Sequence, residues 1–122
     1  MSKVITRIQK RNKWPVKLGD ETIFIRAMTK REQREAREIA AAESATQAEK
    51  NAAMELRGYF VFGCIILEDD GSLSFPRAEG ESCHEFAKRV DREMEEVPED
   101  FKATILDELN RIQTAPGTLP KN

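Results

Sequence analysis

Histidine, cysteine, tryptophan and tyrosine are nearly missing from this chain of 122 residues, which has one His, two Cys, one Trp and one Tyr. Cys64 and Cys83 allow at most one disulfide, and neither has a partner at metal-ligand spacing, so a reducing compartment fits best. Long apolar runs are also absent. Tyr59–Leu67 is the one continuously apolar stretch, far short of the roughly 20 residues that cross a bilayer. Met1–Lys13 has no apolar signal region, so a soluble protein of the cytoplasm is expected. The six glycines are scattered and none forms a phosphate-cradling loop. Glu68-Asp69-Asp70-Gly71-Ser72 is not a calcium loop. Such a loop needs alternating acids before the glycine and a bidentate Glu after it, where this chain has Ile66 and Arg77. Cys83 and His84 are the only nucleophile and base candidates, but neighbours on a helix point about 100° apart. Cys83 also has a place on an apolar helix face, so we read it as structural. Neither catalysis nor a cofactor or metal is expected.

What the chain does have is the Tyr59–Leu67 run and a divided charge. Apolar spacing continues back from the run through Leu56 and Ala52, which predicts one helix from about Gln47 through Leu67 rather than a strand. Ala52, Leu56, Tyr59, Phe60, Gly63, Ile66 and Leu67 share one face, and Met54, Gly58, Val61, Phe62 and Ile65 fall nearly opposite. A helix apolar all round must be covered on both sides. Either the other helices wrap it as a central core helix, or its second face receives a partner. On the second reading Phe60 and Leu56 face the core, while Met54, Gly58, Val61, Phe62 and Ile65 are the candidate partner-binding residues. Gly58 and Gly63 would let another backbone come close. Net charge is −2, yet Lys and Arg outnumber Asp and Glu eleven to four through Arg37, and are outnumbered eighteen to nine from Glu38 onward. Such a division can steer an acidic partner or nucleic acid to one end, or produce head-to-tail contact between copies.

The remaining elements read in order. Residues 1–13 are expected to be a basic flexible tail, carrying Lys3, Arg7, Lys10, Arg11 and Lys13 with no acid. No aromatic platform or recognition-helix pattern accompanies that charge, which weighs against nucleic-acid binding. Trp14-Pro15 opens a single globular domain expected over residues 14–113. Val16 and Leu18, then Ile23 and Ile25, alternate around Gly19-Asp20-Glu21 as in a β-hairpin. Thr29 and Glu32 form a capping box for a charged helix over Lys30–Ala42 with an apolar face of Ala36, Ile39 and Ala40. A break is expected at Ser44-Ala45-Thr46. Ser82 and Glu85 form a second capping box, before a stripe of Cys83, Phe86, Ala87, Val90, Met94 and Val97. Pro98 suits the first turn of a last helix with Phe101, Ile105, Leu109 and Ile112 on one face. Asp91, Glu93, Glu95, Glu96, Glu99 and Asp100 lie mostly off these faces and read as a solvated surface. Residues 114–122 are expected to be a flexible tail. The fold class is thus α+β, mostly α: an N-terminal hairpin followed by about four helices around a central apolar helix.

Taken together, a hairpin ending Ile23-Phe24-Ile25-Arg26, Thr29 opening a charged helix with Arg31-Glu32, an apolar helix, Asp69-Asp70-Gly71 with Phe75, and two short helices resemble the tail assembly chaperones of long-tailed bacteriophages. The resemblance covers about Val16 to Ile112 and lies in element order rather than in an invariant signature. The basic Met1–Lys13 and the Ala-rich stretch around Ser44 depart from it. It implies a small non-virion factor of the host bacterial cytoplasm that binds the tape measure protein and keeps it soluble while tail tube subunits assemble around it. The tail tube protein and a second copy are further partners to consider. A tape measure protein is largely long helix with apolar stripes, and its chaperone needs an apolar surface that accepts a helix. Two other classes remain open: a nucleic-acid-binding regulator using the basic N-terminal third, and a structural head or tail component. Steep weakening with salt would mark the first, and presence in purified particles the second.

Overall fold

The computed structural model describes residues 12–41 and 46–113. Over these residues the chain is α+β and mostly helical, with an N-terminal antiparallel hairpin and four helices. Strand β1 (Trp14–Leu18) pairs with β2 (Glu21–Ile25), Trp14 opposite Ile25 and Leu18 opposite Glu21. In the two-residue loop Gly19 has φ 63°, and among the described residues no non-glycine residue has positive φ. A left-handed first position alone is the type II′ pattern, whose twist matches that of the flanking strands. Trp14, Val16 and Leu18 are buried and alternate with exposed Pro15 and Lys17. With a short third strand, β3 (Ile66–Leu67), the sheet order is β1-β2-β3, so β1 is an edge. Pro15, which has no N–H, and the charge of Lys17 both discourage a further strand there.

The apolar helix is shorter than expected. It runs over Gln47–Ile65, and Ile66–Leu67 leave it as strand β3, with Phe24 opposite Leu67 and Ile25 opposite Ile66. The reason is backbone pairing. A helix end leaves four carbonyls without partners. Here the Arg26 N–H donates to the Ile65 carbonyl at 3.0 Å, and the Ser74 N–H to that of Ile66 at 3.0 Å.

The described residues gather into two compact units that interleave along the chain, one from residues 12–27, 65–74 and 97–113, the other from 28–64 and 75–96. The first unit holds the sheet and the last helix, α4 (Glu99–Gln113), which packs along β1. Ile105, Leu109 and Ile112 of α4 are buried as its stripe predicts, and so is Lys102, whose ammonium lies 3.2 Å from Glu99. Asn12 and Lys13, counted with the tail above, are fastened within this unit. Asn12 Oδ1 accepts the Ala27 N–H at 2.9 Å, and the Lys13 ammonium sits 4.2 Å from the Phe24 ring centroid and donates to the Asp69 carbonyl. The rest of residues 1–13 and residues 114–122 lie outside the described part.

The second unit is helical. Helix α1 (Lys30–Ala40) starts at a complete capping box: the Glu32 N–H donates to Thr29 Oγ1 at 3.2 Å and the Thr29 N–H to the Glu32 carboxylate at 2.9 Å. Only Ala36 and Ile39 of α1 are buried. Helix α2 is Gln47–Ile65. Helix α3 (Cys83–Glu93) is capped by Ser82, whose hydroxyl accepts the Glu85 N–H at 3.1 Å, and it buries Cys83, Phe86, Ala87 and Val90. α1 packs against α3. Phe60 of α2 meets Phe86 of α3 edge to face, with ring centroids 5.9 Å apart.

Candidate partner-binding surface

Helix α2 has two halves of different character. Its start is set locally, since Thr46 Oγ1 accepts the Glu49 N–H at 3.1 Å as an N-cap does. The residues that follow, Gln47-Ala48-Glu49-Lys50-Asn51-Ala52-Ala53-Met54-Glu55-Leu56-Arg57, are mostly good helix formers. The Gln47 side chain donates to Asn51 Oδ1 at 2.9 Å, one turn on. Gln47 to Ala52, Met54 and Glu55 are exposed, and Ala53, Leu56, Arg57 and Gly58 are half-buried. From Tyr59 to Ile65 every residue is buried.

Isolated helical segments of about ten residues are marginal in water because their first turn is costly to nucleate. Here the enclosed Tyr59–Ile65 turns supply the nucleus. The exposed half is therefore held in helical form before any partner arrives, and a partner need not order it, which removes one cost of binding.

The five candidate residues divide across this boundary. Met54 is 52% exposed, the most open large apolar side chain among the described residues. Gly58 is half-buried, and a Cβ built on it meets nothing within 4 Å. Val61, Phe62 and Ile65 are buried within the chain itself, so the expectation of an accessible face there is corrected. Tyr59 lies against Phe62, ring centroids 6.0 Å apart. The two glycines differ in the same way. Gly63 faces Phe86 and Val90 of α3 at a distance no side chain could share, so its close approach serves the fold itself. Ala52, placed on the core face by its spacing, is exposed.

Elsewhere, Cys83, Glu35 and Glu81 are engaged within the fold. Cys83 Sγ lies 3.6 Å from His84 Nδ1, closer than the helical angle suggests. Burial pushes the Cys83 thiol up from its ordinary value, and the nearby Glu35 and Glu38 charges push it further, against Arg77. A thiol held protonated in this way is a poor nucleophile. An open cleft of about 540 Å³ lies between the start of α1 and the loop before α3. Its carboxylates already have partners: Glu35 binds Arg77 at 2.9 Å, and Glu81 binds Arg89 at 3.0 Å and accepts the Ala78 N–H at 3.1 Å. Arg89 also donates to the Pro76 carbonyl at 2.8 Å, so this network fastens the loop to α1 and α3. No sequence signal marks the Glu35–Arg77 pair, whose members are 42 positions apart.

Asp91, Glu93, Glu95, Glu96, Glu99 and Asp100 are all exposed. Among the described residues no group of three His, Cys, Asp or Glu is placed to hold a metal ion, and no helix is long and apolar enough to cross a membrane. Lys3, Arg7, Lys10 and Arg11 lie outside the described residues. No protein-family model matches the chain, and neither a curated protein nor a solved structure matches it.

Proposed function

We propose that this chain is a phage tail assembly chaperone that works in the host bacterial cytoplasm, holding the tape measure protein soluble while the tail tube assembles around it. The observation that carries the reading is the exposed, pre-formed first half of α2. In this reading Tyr59–Ile65 is the central apolar helix that anchors the fold, and Gln47–Gly58 is the part offered to the partner. A long helix with an apolar stripe can lie against such a segment, with Met54 as anchor and Gly58 leaving room for the facing backbone. Val61, Phe62 and Ile65 then support the surface from beneath. Charge flanks the apolar positions, Lys50 and Arg57 on one side and Glu55 on the other. Those flanks favour an amphipathic helix over a flat apolar surface.

The test is co-expression with a tape measure protein. A soluble complex that survives high salt is expected, because apolar contact is not weakened by screening, whereas phosphate binding is. A tape measure protein that stays insoluble in the presence of this chain would reject the reading. Retention on nucleic acid that is lost steeply with salt would favour the regulator instead.

A further inference from the structure

The exposed half of α2 carries a second pattern, independent of the chaperone reading. Gln47, Asn51, Met54, Gly58, Val61 and Ile65 follow one another at spacings of four and three, the spacing of coiled-coil a and d positions, with Asn51, Gly58 and Ile65 at a and Gln47, Met54 and Val61 at d. Val61 and Ile65 are buried in their own chain, while Gln47, Asn51 and Met54 are exposed and Gly58 is open above its backbone. The seam is thus available only over its first two heptads. Lys50 takes the g position and Glu55 the following e position, both exposed.

We propose that Gln47–Gly58 pairs in parallel with the same segment of a second copy. Charge decides both the occupant and the direction. In a parallel pair each g residue meets the e residue five positions on in the other helix. Lys50 of each copy then meets Glu55 of the other, giving two attractive pairs. An antiparallel pair brings like flanks together and sets Lys50 against Arg57, which repel. Asn51 at an a position points the same way, since a lone Asn there favours two strands in register at a cost in stability. With Met54 the one large apolar residue in the open seam, the association is weak and shows only at high protein concentration. The seam includes Met54 and Gly58, so a copy paired in this way cannot hold the proposed helical partner through the same face. Self-pairing and partner binding compete.

Sedimentation equilibrium of the full chain up to millimolar concentration tests this. The native chain is expected to show a monomer–dimer equilibrium. Lys50→Glu or Glu55→Lys alone should weaken it about tenfold, since two attractive pairs become repulsive, and the double reversal should restore it. Under oxidation an Asn51→Cys variant should give a disulfide-linked dimer, because parallel register brings position 51 of both copies together. All three positions are exposed, and circular dichroism checks that each variant folds. No association at millimolar concentration, single reversals without effect, a double reversal that does not restore pairing, or an Asn51→Cys variant that stays monomeric would each overturn the proposal.

Discussion

Replacing Gly63 by alanine should destabilise the protein, and replacing Gly58, in the same helix, should stabilise it. An alanine Cβ at position 63 would sit 2.5 Å from Phe86 Cε2, 2.6 Å from Phe86 Cζ and 2.7 Å from Val90 Cγ2. Carbon atoms pack comfortably at about 3.5–4.0 Å, so Phe86 and Val90 would have to move. Both are buried, and the Phe86 ring is also held against the Phe60 ring. Overpacking a filled core costs about 1–3 kcal/mol, and three short contacts with two enclosed side chains put this case at the top of that range. The better helix propensity of alanine returns only about 1 kcal/mol. The net loss is about 2 kcal/mol, a fall of about 6–12 °C in Tm for a chain of this size. At Gly58 the propensity gain of about 0.5–1 kcal/mol stands alone, because a Cβ there meets nothing. Thermal and urea unfolding at low protein concentration measure both variants. Equal stability of Gly63→Ala and the native chain, or the same sign of change at the two positions, would refute the close packing of α2 on α3.

Phe62→Ala should cost about 3–5 kcal/mol in urea unfolding, as Phe60→Ala should, because both rings are enclosed; a small loss at Phe62 alone would mean that its cover is loose. The Arg89 guanidinium donating to Glu81, helped by the Ala78 N–H, holds the Glu81 carboxyl down at about 2. A depressed folded-state value contributes stability above the ordinary value of 4.5, and this is lost as pH falls towards 2. The stability difference between the native chain and Arg89→Met should therefore be constant above about pH 5 and shrink below it. A difference that is flat down to pH 2 would show that the pair contributes nothing.

The elements legible in the sequence are those that local chemistry determines. Gly19-Asp20 between alternating strands, Thr29 with Glu32, Ser82 with Glu85, and the Ile105, Leu109 and Ile112 stripe each need only neighbours within a turn or two. The end of α2 was not legible, because Tyr59–Leu67 is apolar throughout and has no period to break. What stops the helix at Ile65 is pairing with Arg26 and with β2, about 40 positions away in the chain. The same uniformity hid the fate of the candidate surface. Apolar residues on every face require cover on every face, yet they do not say whether the cover is the chain's own or a partner's. Val61, Phe62 and Ile65 have the first kind. Met54 differs from them in lying among Asn51, Glu55 and Arg57 rather than in the apolar run, and that polar setting was the available signal.

The most direct test of the account compares soluble yield of the tape measure protein when co-expressed with the native chain and with Met54→Asp. Met54 is half-exposed, so the substitution should leave Tm within a few degrees of native while placing a charge at the centre of the proposed contact. Loss of the soluble complex with folding intact is the expected result. A Met54→Asp chain that holds as much tape measure protein in solution as the native one would contradict the assignment of Gln47–Gly58 as the binding surface.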